Sequence, residues 1–260
     1  MEVLVVGGTG GLGRLVVQDL AARGHRVRVL SRQNAPRTST GPGVVCPGDL
    51  VSGEGVAAAL DGVDAVVNTV NAVRGSERVM VDGGRRLLDE AARARVGHVV
   101  GIGIVGADII APWVPYYRVK VAEEAVLREG VVPWSLLRAT QFHDFLAGMI
   151  AGLARLPVLP APAIRFQPVD RAEVAAALAD AVEAGPNGRL PDVAGPQDLP
   201  LIDFAQMWLR AQGRLRRTFS LPIPGRVGRL LRDGALCNPD RAVARVTFEQ
   251  WAASSRRSRV

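Results

Sequence analysis

Lysine is almost absent from this chain. Of its 32 basic side chains one, Lys120, is lysine, and the rest are arginine. Tyrosine is nearly as scarce: Tyr116 and Tyr117 are the only two, and both stand within a helical turn of Lys120. Cys46 and Cys237 are the only cysteines and show no CxxC spacing. That excludes a disulfide framework or a cysteine-based metal site and suits a reducing compartment. His25, His98 and His143 lie far apart, outside any HExxH pattern, so no metal centre is expected. Aromatics make up 5% of the chain and do not interleave with the arginines, which leaves no stacking platform for nucleic acid. No apolar run approaches the ~20 residues that span a bilayer. The opening MEVLVVGG carries an acid at position 2 and early glycines, unlike a signal peptide. Neither a nucleic acid nor a membrane is expected as a partner. The expectation is a cytoplasmic protein acting on a small molecule, with a homodimer allowed.

At 260 residues the chain can bury a full core. Its 48% hydrophobic and 22% charged content is ordinary for a globular protein, and its net charge of +7 favours anionic small molecules. Residues 2–6 (EVLVV) predict a strand buried on both faces, and apolar side chains at helical spacing predict a helix over 12–23. Further strands are expected at 25–31, 44–46, 65–69, 98–105 and 132–139, with helices at 55–60, 77–95 and 116–128 between them. Such alternation predicts a doubly wound α/β fold, a parallel sheet with helices on both faces. The first 150 residues are expected to form that domain. Residues 151–260 begin proline-rich and irregular over 156–170, then show helical patterns at 170–184 and 201–213, and are expected to cap the sheet's substrate edge.

Between the first strand and first helix lies GGTGGLG, with Gly7, Gly10 and Gly13 in G-x-x-G-x-x-G spacing. Glycine lets the backbone turn sharply and approach a pyrophosphate, while the helix N-terminus offers free N–H donors. Gly7, Thr9, Gly10, Gly11, Leu12 and Gly13 are therefore expected to cradle a dinucleotide. An NAD site usually places a carboxylate about 20 residues further on, at the end of the second strand. Here that stretch reads Ser31-Arg32, with Arg37 nearby and no acid. A hydroxyl and arginines suit a 2′-phosphate, so NADP(H) is the expected cofactor; a merely solvated Arg32 is the alternative. Asp49 and Leu50, after the third strand, are candidates for the adenine edge, although Gly48-Asp49 also reads as a turn. Asn68 and Thr69, ending the fourth strand, are candidates for the nicotinamide ribose.

The spacing of Tyr116 and Lys120 places an ammonium one turn from a phenol. That favours the phenolate and suits general acid–base work near neutral pH. Arginine, a wide planar fork, is no substitute for a compact ammonium.

Taken together, GGTGGLG, Gly48-Asp49-Leu50, YYRVK at 116–120, LRATQFHDF at 137–145 and FQPVDRAEVA at 166–175 resemble the short-chain dehydrogenase/reductase superfamily, in its atypical NmrA-like branch. The resemblance implies a tyrosine, here Tyr116, as general acid/base, and a lysine, here Lys120, that binds the nicotinamide ribose. It also implies a serine 13 residues before the tyrosine to polarise the substrate carbonyl. That position is Gly103, and no hydroxyl residue occurs from His98 to Pro115. Thr140, Gln141 and His143, just after the sixth strand, are the candidates for a substitute donor, with a packing histidine as the other reading of His143. The apolar stretch Leu156 to Phe166, with Phe142, Phe145 and Trp113, suggests an apolar or aromatic substrate. The implied activity is NADP(H)-dependent reduction of a carbonyl or quinone-like compound. A non-catalytic redox sensor, or a redox-neutral isomerase or dehydratase, remains open.

Overall fold

A computed structural model describes residues 1–32 and 41–257. Arg37 lies outside the described residues.

Strand β1 (Glu2–Val6) runs through the glycine loop into helix α1 (Gly11–Ala22), followed by β2 (Arg26–Ser31), β3 (Val44–Pro47), α2 (Val56–Leu60) and β4 (Ala65–Asn68). A π-helical stretch, Glu77–Asp82, continues directly into α3 (Gly83–Arg93). The single helix expected over 77–95 is thus wound in two ways, with the Gly83-Gly84 pair at the change. Then come β5 (His98–Ile104), α4 (Ala107–Ile110), α5 (Pro115–Glu129), β6 (Trp134–Ala139) and α6 (His143–Leu153). Proline at the first helical position, behind the extended Val114, starts α5 where the Tyr-Lys segment begins. The remainder is β7 (Leu159–Pro162), β8 (Arg165–Phe166), α7 (Arg171–Ala184), β9 (Gly188–Arg189), β10 (Leu199–Pro200), α8 (Leu201–Ala211), β11 (Thr218–Leu221), α9 (Gly225–Arg232), a 3-10 turn at Pro239–Arg241 and α10 (Phe248–Arg257).

The chain divides into two compact units that interleave rather than meeting at a single boundary near residue 150. The first comprises Met1–Gly103, Val114–Arg138 and Arg171–Pro191; the second comprises Ile104–Trp113, Ala139–Asp170 and Asp192–Val260.

The first unit holds the seven-stranded parallel sheet, in the order β3-β2-β1-β4-β5-β6-β9. It is the Rossmann-type α/β fold that the strand–helix alternation predicts. The order reverses direction between β1 and β4, the place where open α/β sheets bind ligands. Register sharpens this: Val6 pairs with Leu30 on one side and with Asn68 on the other. The glycine loop, Ser31-Arg32 and Thr69 therefore leave the sheet at one level. Beneath them a core of Leu4, Leu30, Leu60, Val66, Leu87, Val99 and Leu136 is closed to solvent.

The second unit has its own core, built from Leu146, Ile150, Leu159, Phe166, Phe204, Leu209 and Phe248. The stretch 156–170, expected to be irregular, contributes β7 and β8; β7 pairs in parallel with β11, and β8 pairs antiparallel with β10. Helices α6, α9 and α10 carry no helix expectation from the sequence; glycines interrupt α6 and α9, and Pro224 directly precedes α9.

Candidate dinucleotide and active site

The glycine loop is closed by its own backbone. Gly10 N donates to Gly7 O at 2.9 Å, and Gly7 adopts φ 80°, a left-handed conformation that favours glycine. A Cβ on Gly13 would stand 2.2 Å from Gly7 O, so the start of α1 packs against the loop only because that side chain is missing. Thr69 locks the neighbouring strand end: its hydroxyl and its N–H each donate to Val6 O at 2.9 Å. A Cβ on Gly7 would come within 3.0 Å of Thr69. Thr9 is half-buried in the loop, Gly10 is exposed, and Leu12 anchors the first turn of α1 in the core. The result is a cradle of bare backbone at a helix N-terminus, which fits a dinucleotide pyrophosphate.

Ser31 ends β2 and Arg32 follows it, exposed. Asp49 is engaged in its own turn, where its carboxylate accepts Val51 N at 2.7 Å and its carbonyl accepts Gly53 N at 2.7 Å. That is the turn reading of Gly48-Asp49. The Leu50 side chain packs in the core, and only its backbone carbonyl is engaged outside it, by Arg86.

Helix α5 brings the tyrosine–lysine pair to the same sheet edge. Tyr116 donates its hydroxyl to Asn71 Oδ1 at 2.9 Å, three residues beyond the end of β4. The rings of Tyr116 and Tyr117 meet edge to face at 5.6 Å. Burial, reinforced by Tyr116 beside it, pushes the Tyr117 phenol up to about 12, which disqualifies it as an acid–base group near neutrality. Lys120 is buried, 4% exposed, and its ammonium donates to Ile102 O at 3.0 Å and to Glu123 Oε2 at 2.6 Å. Burial pushes the Glu123 carboxyl up, while the adjacent ammonium favours its ionised form. The lysine is thus held by a carboxylate one turn along its own helix.

The position of the missing serine is filled. A Cβ on Gly103 would stand 2.1 Å from Glu124 Oε1 and 3.0 Å from Arg138 Cγ. Glu124, 2% exposed, accepts from Arg138 Nε at 3.0 and 3.1 Å and from Nη2 at 2.6 Å. A buried, forked ion pair therefore occupies the space a serine side chain needs. Beside it, Asn68, Gly101, Ile102, Glu123 and Glu124 help line a cavity of about 20 Å³, room for about one water.

Thr140 and His143 belong to the second unit, and both hold backbone there. Thr140 Oγ1 accepts Gly195 N at 3.2 Å. His143 Nε2 donates to Val246 O at 3.0 Å, and its ring packs 5.7 Å from those of Phe248 and Trp251. This is the packing reading of His143, and neither residue is assigned a chemical step below. Of the apolar residues expected around a substrate, Phe166 and Leu159 are core, whereas Trp113 and Phe145 stay exposed. Among the described residues, no group of three or more His, Cys, Asp and Glu forms a metal cluster. No described helix is long and apolar enough to cross a membrane.

Sequence reasoning alone passes over Asn71, Glu123, Glu124, Arg138 and Arg171. The two glutamates have a readable signal, since they stand three and four residues after Lys120 on one helix. Asn71 and Arg138 acquire partners only through the fold.

Sheet order, loop and tyrosine–lysine helix together define a Rossmann-type dinucleotide-binding protein. The chain belongs to the NAD(P)H-binding family, whose model matches residues 7–184. This agrees with the atypical short-chain dehydrogenase/reductase resemblance in its sequence. It is 24% identical over 237 residues to the photosystem II assembly factor Ycf39 of Cyanophora paradoxa, a match covering 86% of this chain and 72% of the relative. It is 35% identical over 156 residues to sterol demethylase protein B of Methylococcus capsulatus, covering 50% of this chain and 48% of the relative. In fold it resembles an NADPH-dependent quinone oxidoreductase of Escherichia coli complexed with NADPH, with TM-score 0.78, 18% identity, and coverage of 97% of this chain and 99% of that one.

Proposed function

We propose that this protein is an NADP(H)-dependent oxidoreductase that reduces a carbonyl or quinone-like small molecule of apolar or aromatic character, with Tyr116 as the general acid. The observation that carries this reading is the Tyr116 hydroxyl, held on Asn71 beside the strand end that also positions the glycine loop. When bound, the nicotinamide supplies the hydride. The chain's own residues do the rest. Tyr116 gives its phenolic proton to the oxygen that gains charge, and Asn71 keeps the phenol aimed. Lys120, set by Glu123, supplies positive charge beside the phenol and toward the ribose. With Gly103 and the Glu124–Arg138 pair in place of a serine, the chain offers no hydroxyl at that position. This suits a substrate such as a quinone, which needs less polarisation than a simple ketone. The quinone oxidoreductase among the fold neighbours supports the same substrate class.

A second reading is favoured by one observation: the Lys120 ammonium is already paired with Glu123. A protein that binds the cofactor without turning it over needs no free lysine, and the assembly-factor relative is in keeping with such a role.

The cofactor preference rests on Ser31 and Arg32, where an NAD site would carry an acid. Charge-assisted hydrogen bonds to a phosphate are worth ~1.5–3 kcal/mol. Arg32→Ala should therefore weaken NADPH binding about tenfold or more and leave NADH binding nearly unchanged. Fluorescence titration of both cofactors checks this, and equal wild-type affinity for the two would remove the NADP(H) preference.

A further inference from the structure

Helices α1 and α7 lie side by side and run in the same direction. At one end Arg23, just past α1, donates to Asp180 at 2.6 Å and to Glu183 at 2.8 Å, both late in α7. At the other end Arg171, the first residue of α7, lays its guanidinium on Gly11, the first residue of α1. A Cβ on Gly11 would stand 2.0 Å from Arg171 Nη1 and 2.9 Å from Cζ. The N-terminus of α1 and the Arg171 guanidinium thus meet at the glycine loop. The loop itself, GGTGGLG, carries no charged side chain.

We infer that Arg171 is a pyrophosphate ligand, reaching across from α7 to the phosphates that the glycine loop cradles. The inference rests on the NADP(H) reading above and adds a residue that neither the glycine motif nor the Tyr116–Lys120 pair predicts. A pyrophosphate is negative on both phosphates. Backbone N–H groups and helix dipoles offset part of that charge, and a planar guanidinium presents paired donors that match phosphate oxygens. A side chain at position 11 would have to displace the guanidinium end of Arg171 from where it lies. The Arg23 pairs with Asp180 and Glu183 hold α7 at a fixed height along α1, which keeps Arg171 over the loop.

The test titrates NADPH and NADH by fluorescence into wild type, Arg171→Ala and Arg171→Lys, with ligand-free melting temperatures and competition by inorganic pyrophosphate. Arg171→Ala should weaken both cofactors alike, by about tenfold or more, as expected when a charge-assisted contact to phosphate is lost. Arg171→Lys should recover part of the loss, and the alanine variant should need more pyrophosphate to displace NADPH. The ligand-free melting temperatures separate any loss of stability from the loss of affinity. Unchanged affinity for both cofactors overturns the inference. So does a loss confined to NADPH, because it would move Arg171 to the 2′-phosphate. A wild type that binds neither cofactor instead fails the NADP(H) reading itself, a result distinct from either.

Discussion

Lys120→Arg and Lys120→Met should each lower turnover by ~10²-fold or more, the scale of general acid–base contributions. They should differ in stability. Methionine removes the cation that Glu123 faces at 2.6 Å and leaves a buried carboxylate unpaired. Breaking a buried pair by removing one partner typically costs about 3–5 kcal/mol. Arginine keeps the charge but must fit a wider fork into a space bounded by Ile102 O and Glu123. Overpacking of that kind costs about 1–3 kcal/mol. The sequence suggests that the arginine variant would fold unimpaired, because helix propensities are nearly equal. Burial of the ammonium is what adds a stability cost. Urea melts alongside steady-state rates separate the two effects. Full activity in both variants would leave Lys120 an accident of arginine-rich composition.

The second large effect falls at Gly103. From the sequence alone, Gly103→Ser is expected to raise the rate on simple ketones if the missing hydroxyl limits activity, and to do nothing or harm if His143 or Thr140 already fills the role. In the structure the new side chain collides with Glu124 Oε1, and that carboxylate is gripped by three hydrogen bonds from Arg138. Gly103→Ser should therefore destabilise the protein by about 1–3 kcal/mol and bring no increase in turnover. Arg138→Leu, which strands Glu124 in the core, should cost more, about 3–5 kcal/mol. The double variant Glu124→Gln with Arg138→Leu should lose less than Arg138→Leu alone, because it removes the stranded charge. Thermal melts of the four proteins check the order. A Gly103→Ser protein that is both stable and faster would show that the ion pair is not fixed in that space.

Much of the first unit was legible from local signals. A buried β-branched run, a glycine turn and a helical repeat need no tertiary information, so β1, the glycine loop and α1 are found close to their observed bounds. The Tyr116-to-Lys120 spacing likewise survives folding, because both residues lie on α5. What the sequence did not carry are partners that only the fold brings together. Arg138 meets Glu124 from another element, and Arg171 reaches Gly11 from 160 residues away. His143 and Thr140 looked chemical because they are polar and follow a strand end. Their atoms turn out to hold the backbone at Val246 and Gly195. In the second unit, short proline-bounded strands such as β7 and β11 give too few alternating residues to show a period.

The central claim is that Tyr116 supplies the proton when a hydride leaves the nicotinamide. Stopped-flow absorbance of NADPH oxidation, with the protein saturated in cofactor and mixed with quinones and aromatic ketones, tests it most directly. Wild type should oxidise NADPH with at least one of them. Tyr116→Phe should bind NADPH with nearly unchanged affinity yet react ~10²-fold more slowly, while Tyr117→Phe should react almost as fast as wild type. A Tyr116→Phe protein at the wild-type rate would contradict the account, and a wild type that binds NADPH but oxidises it with none of these compounds would favour the non-catalytic reading.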